Sequence, residues 1–291
     1  NDYKLFESIP SNIKDLAKGL TTALGLLWLN GFSLDWKRYY AGEKVCKIPL
    51  PPFRFNRRRY WLDLPGTGPK IITISAKTET EIKQSSALWT DYLRQYPEAD
   101  LGTLAGEKDT ANQPFRLGIV AFNSRGAGED LATNNAQSVH YSHESTQEPQ
   151  PVFLLPGGGT QYLQMGKGLY KRYGDFRSSI DQGLALYGAR TGYDLRRVWF
   201  AAEHERNWAD EEMKKPSVQL PAIFILEVAL AKFWMNLGVQ PVALVGHSLG
   251  ENSASCIAGV LSYEDALGLV VLRGQLFEKI EAGGMLSVSL S

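Results

Sequence analysis

Apolar positions along the chain fall into three blocks. In the first, Ile13, Leu16, Leu20, Ala23, Leu24 and Leu27 recur at helical spacing. This predicts one amphipathic helix over 12–30, capped by Ser11 or Asn12 and stopped by Gly31. An aromatic stretch follows at Phe32–Tyr40, with Trp36, Tyr39 and Tyr40. Pro49, Pro51 and Pro52 then force an extended path through Phe53-Arg54-Phe55 to Arg57-Arg58-Arg59-Tyr60-Trp61. Aromatic and basic residues alternate there without a packing face of their own. The natural expectation is an extended strap lying over another surface.

Pro65-Gly66-Thr67-Gly68-Pro69 breaks the pattern and opens the second block. A strand is predicted at Lys70–Ser75. Thr78 and Glu81 have capping-box spacing for a helix reaching Tyr96, where Pro97 ends it. A second strand is predicted at Arg116–Phe122, making a small α/β unit, and 132–150 reads as a loose connection. The third block starts at Pro151 with a strand (Val152–Leu155), a turn (Gly157-Gly158-Gly159) and a helix through Tyr162–Tyr170. A long apolar helix is predicted over Pro221–Asn236. A strand at Val242–Val245 then leads into a helix starting at Glu251 or Asn252, followed by a helix at Tyr263–Lys279 and a strand at Met285–Leu290. Apolar strands alternating with helices predict a parallel sheet. The expected domains are therefore 1–64, 65–150 and 151–291, in an α/β fold.

Composition narrows the function. The 291 residues carry 31 Lys+Arg against 31 Asp+Glu. This balance argues against a dedicated nucleic-acid or anionic-membrane binder. Arginines 54 and 57–59 form one short basic run, better suited to pairing with a neighbouring domain than to nucleic acid. Two cysteines, Cys46 and Cys256, cannot build a disulfide framework, so a reducing, cytoplasmic setting is expected. Cys256 reads as a core thiol. Glu227 and Lys232 interrupt the longest apolar run, which argues against a membrane span, and no leader pattern is present. The first residue is Asn1, so the chain reads as a piece of something longer.

The sharpest chemical signal is Gly246-His247-Ser248-Leu249-Gly250, a G-x-S-x-G between a predicted strand and a predicted helix. Such a turn lifts a serine hydroxyl above the sheet, next to N–H groups at a helix start. The alternative is a turn serine that caps the helix. Gly158 in the glycine turn could supply one oxyanion-binding N–H and Leu249 the other; otherwise the glycines are a permissive turn. His247 is adjacent to Ser248 and cannot easily swing onto it, so a structural role is expected. His140, His143 and His204 read as surface residues. No histidine follows Ser248, which leaves a nucleophile without its base. Arg273 interrupts an apolar helix; it serves either a carboxylate ligand or a neighbouring glutamate. No metal-ligand cluster is expected.

Together these motifs resemble the acyltransferase domain of modular type I polyketide synthases, a relative of malonyl-CoA:acyl-carrier-protein transacylase. Leu155–Tyr162 is similar to the opening glycine motif, with Gly158 where glutamine is frequent. Leu220-Pro221-Ala222 is similar to a Gln-Pro-Ala segment, with leucine replacing glutamine and removing a side-chain contact near the site. Val245–Asn252 resembles the nucleophile motif, with Asn252 where tyrosine is common. Leu272-Arg273-Gly274 resembles the segment whose arginine grips the extender's free carboxylate. Residues 70–150 look like the linker domain before this acyltransferase, and 20–63 like the strap that follows it. That order is inverted here, which implies tandem acyltransferase regions, a permuted chain or joined pieces of a module.

The resemblance implies a partial α/β-hydrolase-like core, cut before a ferredoxin-like subdomain and the catalytic histidine. Ser248 would attack malonyl-CoA or a substituted relative and pass the acyl group to the phosphopantetheine thiol of an acyl carrier protein. No bound cofactor is implied; ketosynthase and other synthase domains would be neighbours. Leu249 implies malonyl rather than methylmalonyl. The 291 residues alone are expected to turn over slowly. A serine hydrolase or thioesterase and a non-catalytic docking fragment are the rival readings.

Overall fold

The computed structural model describes residues 16–41, 68–105, 113–143 and 150–280. The described residues below 150, with Leu237–Val239, form one compact unit; Gln150–Asn236 and the described residues from Gln240 onward form a second. The predicted aromatic–basic strap at 53–61, the caps Ser11 and Asn12, and the strand at Met285–Leu290 lie outside the described residues.

In the first unit, α1 (Leu16–Leu29) matches the predicted helix. Gly31 ends it at φ +93°, and its N–H reaches the Trp28 carbonyl at 3.0 Å. A single turn, α2 (Trp36–Tyr39), is capped by Asp35. Then come β1 (Lys70–Ala76), α3 (Glu79–Gln95), α4 (Leu101–Ala105), β2 (Phe115–Ala121), α5 (Ser124–Thr133) and β3 (Val139–His143). The three strands form an antiparallel sheet in the order β1-β2-β3. Thr78 accepts from the Glu81 N–H, as the capping-box spacing predicted, while the Glu81 carboxylate accepts from the Lys77 N–H, one residue before the cap.

Strand β2 is buried on both faces because both are covered. Leu117, Ile119 and Ala121 join Ile82, Leu93 and Ala127 of α3 and α5 in one core. The alternate residues face α1: Gly118 lies against Leu29, and the Arg116 guanidinium donates to the Trp28 carbonyl at 2.8 Å. Within the loose connection expected at 132–150, residues 132–143 instead hold the end of α5 and all of β3. Glycines 126 and 128 hid α5 in the sequence. Gly128 is there because a Cβ would lie 3.1 Å from the Leu93 Cβ. His140 and His143, expected at a loose surface, sit in β3; His140 is half-buried and burial lowers its pKa.

The second unit has a parallel pair, as predicted: β4 (Val152–Leu155) and β5 (Ala243–Gly246), in register from Val152↔Ala243 to Leu155↔Gly246. Between them run α6 (Lys167–Arg172), α7 (Gly174–Thr191), α8 (Leu195–Trp199), a 3-10 turn at Glu203–Glu205, α9 (Arg206–Met213) and α10 (Pro216–Asn236). After β5 come α11 (Gly250–Ile257) and α12 (Tyr263–Phe277). The helix predicted from Tyr162 starts only at Lys167, because Gln164 and Gly166 both take positive φ. Helices α7 to α9 have no counterpart in the sequence reading. In α7, Gly183 falls on the packed face, where a Cβ would lie 2.4 Å from the Tyr263 hydroxyl.

Helix α10 is the core of this unit and starts five residues before its predicted start. Pro221 therefore lies inside it, where its missing N–H leaves the Ser217 carbonyl without a helical partner. The Tyr187 hydroxyl of α7 donates to that carbonyl at 3.0 Å. By length and composition α10 could cross a membrane, but 78% of its apolar window is buried within the protein, which marks a core helix. Among the described residues it is the one helix that passes this test.

Glu227 of α10 is 7% exposed and accepts a 2.5 Å hydrogen bond from Ser253 of α11, while its Oε1 has no partner. Burial raises its pKa from 4.5 to about 8. The folded protein thus holds a proton between those pH values that the unfolded chain releases. Stability contributed at pH 4.5 is lost as pH rises towards 8, then levels off. Glu227→Gln removes this slope and is expected to be more stable than the parent at pH 7, by on the order of 3 kcal/mol. Urea unfolding at pH 5, 7 and 8.5 checks it; parallel pH profiles for the two proteins would contradict it.

Candidate active site

The turn joining β5 to α11 is set by how closely α11 approaches the strand ends. A Cβ on Gly250 would lie 2.0 Å from the Leu155 carbonyl oxygen, and one on Gly246 would lie 2.4 Å from the Glu251 nitrogen. Neither position has room for a side chain. The His247 N–H donates to the Leu155 carbonyl at 2.9 Å, and the His247 carbonyl accepts from the Gly250 N–H at 2.9 Å. The chain can turn this tightly only by placing Ser248 at φ +54°, which for a non-glycine residue costs about 1 kcal/mol or more. Ser248 is left exposed at the apex, while Leu249 is wholly buried. Any influence of the Leu249 side chain on an acyl pocket is therefore exerted from the core side.

The glycine turn after β4 abuts this elbow. A Cβ on Gly157 would lie 2.9 Å from the His247 carbonyl oxygen and 3.2 Å from the Ser248 Cβ. The Thr160 hydroxyl donates to the Gly157 carbonyl at 3.0 Å, and the Gly159 N–H donates to Gln161 Oε1 at 2.8 Å. Gly158, between these two pinned residues, is exposed. The direction of its absent Cβ points to Leu220 at 3.4 Å and to Gln219 Oε1 at 3.6 Å. Gln219, one residue before this leucine, thus stands beside Gly158, while its Nε2 donates to the Lys214 carbonyl at 3.0 Å.

Arg273 reaches the elbow from α12. Its Nη2 donates to Ser248 Oγ at 3.1 Å and its Nη1 to Asn252 Oδ1 at 3.1 Å; the guanidinium lies over the Phe277 ring, 5.4 Å from its centroid. Arg273 lies on α12 because Gly274 lets that helix pack closely on the start of α10: a Cβ there would lie 2.6 Å from the Pro216 carbonyl oxygen. Among the described residues Arg273 forms no ion pair, so the pairing with a glutamate that its helix suggested is not made. Of the predicted site residues, the structure brings together Ser248, Gly158, Arg273, His247, Gly246, Leu249 and Gly250. Among the described residues, the hydrogen-bond partner of the Ser248 hydroxyl is Arg273 and not a histidine. His204 is exposed on the 3-10 turn.

An exposed serine at a strained elbow, beside a glycine turn and a cation, is an arrangement for acyl transfer. Residues 152–291 match the family described as acyl transferase domain. The non-reducing polyketide synthase crz7 of Cladonia metacorallifera is 34% identical over 212 residues, covering 72% of this chain and 10% of that protein. The solved acyl transferase domain of ZmaA is similar at 30% identity and TM-score 0.70, with 74% of this chain and 50% of that one covered. That of SpnD, solved in complex with 2-(pent-4-yn-1-yl)malonyl, is similar at 33% identity and TM-score 0.58, with 72% and 49% covered. The second unit is an acyl transferase region, similar to those of polyketide synthases. It spans about one-tenth of the length of the curated relatives and about half of the solved domains it matches.

The crossing predicts a sharp contrast between glycines. Gly250→Ala drives a Cβ into backbone and is expected to destabilise by about 3 kcal/mol. Gly168→Ala, in α6 with no atom within 4 Å of the added Cβ, is expected to be neutral or to stabilise by up to about 1 kcal/mol. Urea denaturation of both variants checks the pair, and equal effects would contradict the geometry.

Proposed function

We propose that the second unit takes a malonyl-type acyl group from its CoA thioester onto Ser248 and delivers it to the phosphopantetheine thiol of an acyl carrier protein. The observation that carries this reading is the single 3.1 Å hydrogen bond between Arg273 Nη2 and Ser248 Oγ. A fixed cation one hydrogen bond from the nucleophile suits an acyl group that carries a second, free carboxylate. The substituted malonyl in the related SpnD domain supports the same substrate class.

The chemistry balances in two halves. Ser248 Oγ attacks the thioester carbon as a base accepts its proton, and the tetrahedral oxyanion forms within reach of the Gly158 and Leu249 N–H groups. Collapse expels the CoA thiolate, which takes up a proton, and leaves a serine ester. The carrier thiol then attacks that ester, and Ser248 regains its proton as it leaves. Positive φ at Ser248 turns its hydroxyl away from the sheet, which favours attack by an external thiol.

Incubation of the chain with malonyl-CoA, followed by intact mass and peptide mapping, tests this. A malonyl adduct on Ser248 is expected, absent in Ser248→Ala. Arg273→Ala is expected to lower malonyl loading at least tenfold relative to acetyl loading, since a lost charged contact in a desolvated site is worth about 2–5 kcal/mol. Free malonate without an adduct would favour a hydrolase. No reaction would favour a docking role. An unchanged malonyl-to-acetyl ratio in Arg273→Ala would remove the substrate assignment.

A further inference from the structure

Arg273 is a long side chain on an exposed edge of α12, flanked by Leu269, Leu272 and Leu276, all of them about half-exposed. Left to itself, such a side chain would sample many rotamers and spend little time at Ser248. Two side chains restrain it, besides a longer Nη1 contact to the Ser248 carbonyl at 3.5 Å. The Phe277 ring supports one face of the guanidinium. Asn252, half-buried in the first turn of α11, accepts from Nη1 at 3.1 Å. A guanidinium has donors only, so the amide oxygen, and not its NH2, must face it. With Nη1 engaged, the planar fork directs Nη2 onto Ser248 Oγ.

We propose that Asn252 is the positioning residue that holds Arg273 over Ser248 and sets the preference of the site for carboxylate-bearing acyl groups. A carboxylate at position 252 would orient the guanidinium equally well but would neutralise it. An apolar residue would leave it charged but loose. A neutral amide orients the arginine and leaves its full charge for the ligand. Arg273 forms no ion pair among the described residues, so no carboxylate there neutralises it before a ligand arrives. This inference rests on the proposed transfer of a malonyl-type group, but the positioning contact itself can be measured without any substrate.

Two readouts test it on the wild-type chain, Asn252→Ala, Asn252→Asp and Arg273→Ala. The first is the rate at which phenylglyoxal modifies Arg273, followed by peptide mass with no substrate present. Asn252→Ala is expected to be modified about tenfold faster, the low end of what one hydrogen bond from a charged donor is worth. Asn252→Asp is expected to be modified as slowly as wild type. The second is loading from malonyl-CoA and from acetyl-CoA. Asn252→Ala is expected to raise the KM for malonyl-CoA about tenfold and leave that for acetyl-CoA unchanged, a split that a general loss of structure would not give. Asn252→Asp is expected to load malonyl worse than Asn252→Ala, although its arginine is held. Wild-type phenylglyoxal rates in Asn252→Ala would overturn the positioning role whatever the chemistry of the site. Faster modification with an unchanged malonyl-to-acetyl preference would overturn the specificity role. If Arg273→Ala itself leaves that preference unchanged, the substrate assignment fails, and the phenylglyoxal comparison still decides the contact.

Discussion

The close crossing of α11 over the ends of β4 and β5 is the constraint on which the site depends. At Gly250 and Gly246 the backbone of the helix start lies where side chains would otherwise be. The tight turn that results forces Ser248 into a left-handed conformation, and the same turn puts the Leu249 side chain into the core. The reactive hydroxyl is thus displayed by backbone sterics before any side chain is considered. The strain at Ser248 is small beside the packing that imposes it, so the exposed serine is a stable feature of the unit.

The rest of the second unit supplies the setting. Helix α10 passes behind α11 and is tied to it through Glu227 and Ser253, both buried. Its proline is accommodated by a tyrosine from α7, and its first turn receives α12 at Gly274. That last contact sets the depth at which Arg273 arrives. The glycine turn after β4 has its neighbouring groups held by Thr160 and Gln161, which leaves Gly158 facing outward beside the elbow. Backbone donors, a nucleophile and a cation therefore converge from three separate segments, each fixed by close glycine packing or by a hydrogen bond.

Much of this was legible in the sequence. The elbow declares itself by glycines two residues either side of a serine, between an apolar strand and a helix. Arg273 stands out as a charge in an apolar helix, and Thr78 with Glu81 marks a helix start by spacing alone. What was not legible depends on tertiary partners. Helices α5 and α7 carry glycines that lower helix propensity, and only the structure shows those glycines admitting Leu93, Ile225 and Tyr263. The apolar run put the start of α10 at Pro221, yet a tyrosine thirty-four residues upstream permits that proline inside a helix that begins at Pro216. β3 has a single buried residue, Val139, in a polar run, so its pairing with β2 was invisible to periodicity. Asn252 entered only as a departure within the nucleophile motif, and Gln219 was not singled out. Their parts emerge from distances to Arg273 and Gly158, and a tyrosine-to-asparagine departure at position 252 was the one clue available.

The most direct test of the account is a high-resolution crystal structure of the chain soaked with malonate. Ser248 is expected at positive φ, with the Asn252 amide oxygen on Arg273 Nη1 and a malonate carboxylate on the guanidinium within reach of the serine hydroxyl. Ser248 in an ordinary helical or extended conformation, with Arg273 turned away to solvent and malonate bound elsewhere or not at all, would contradict it.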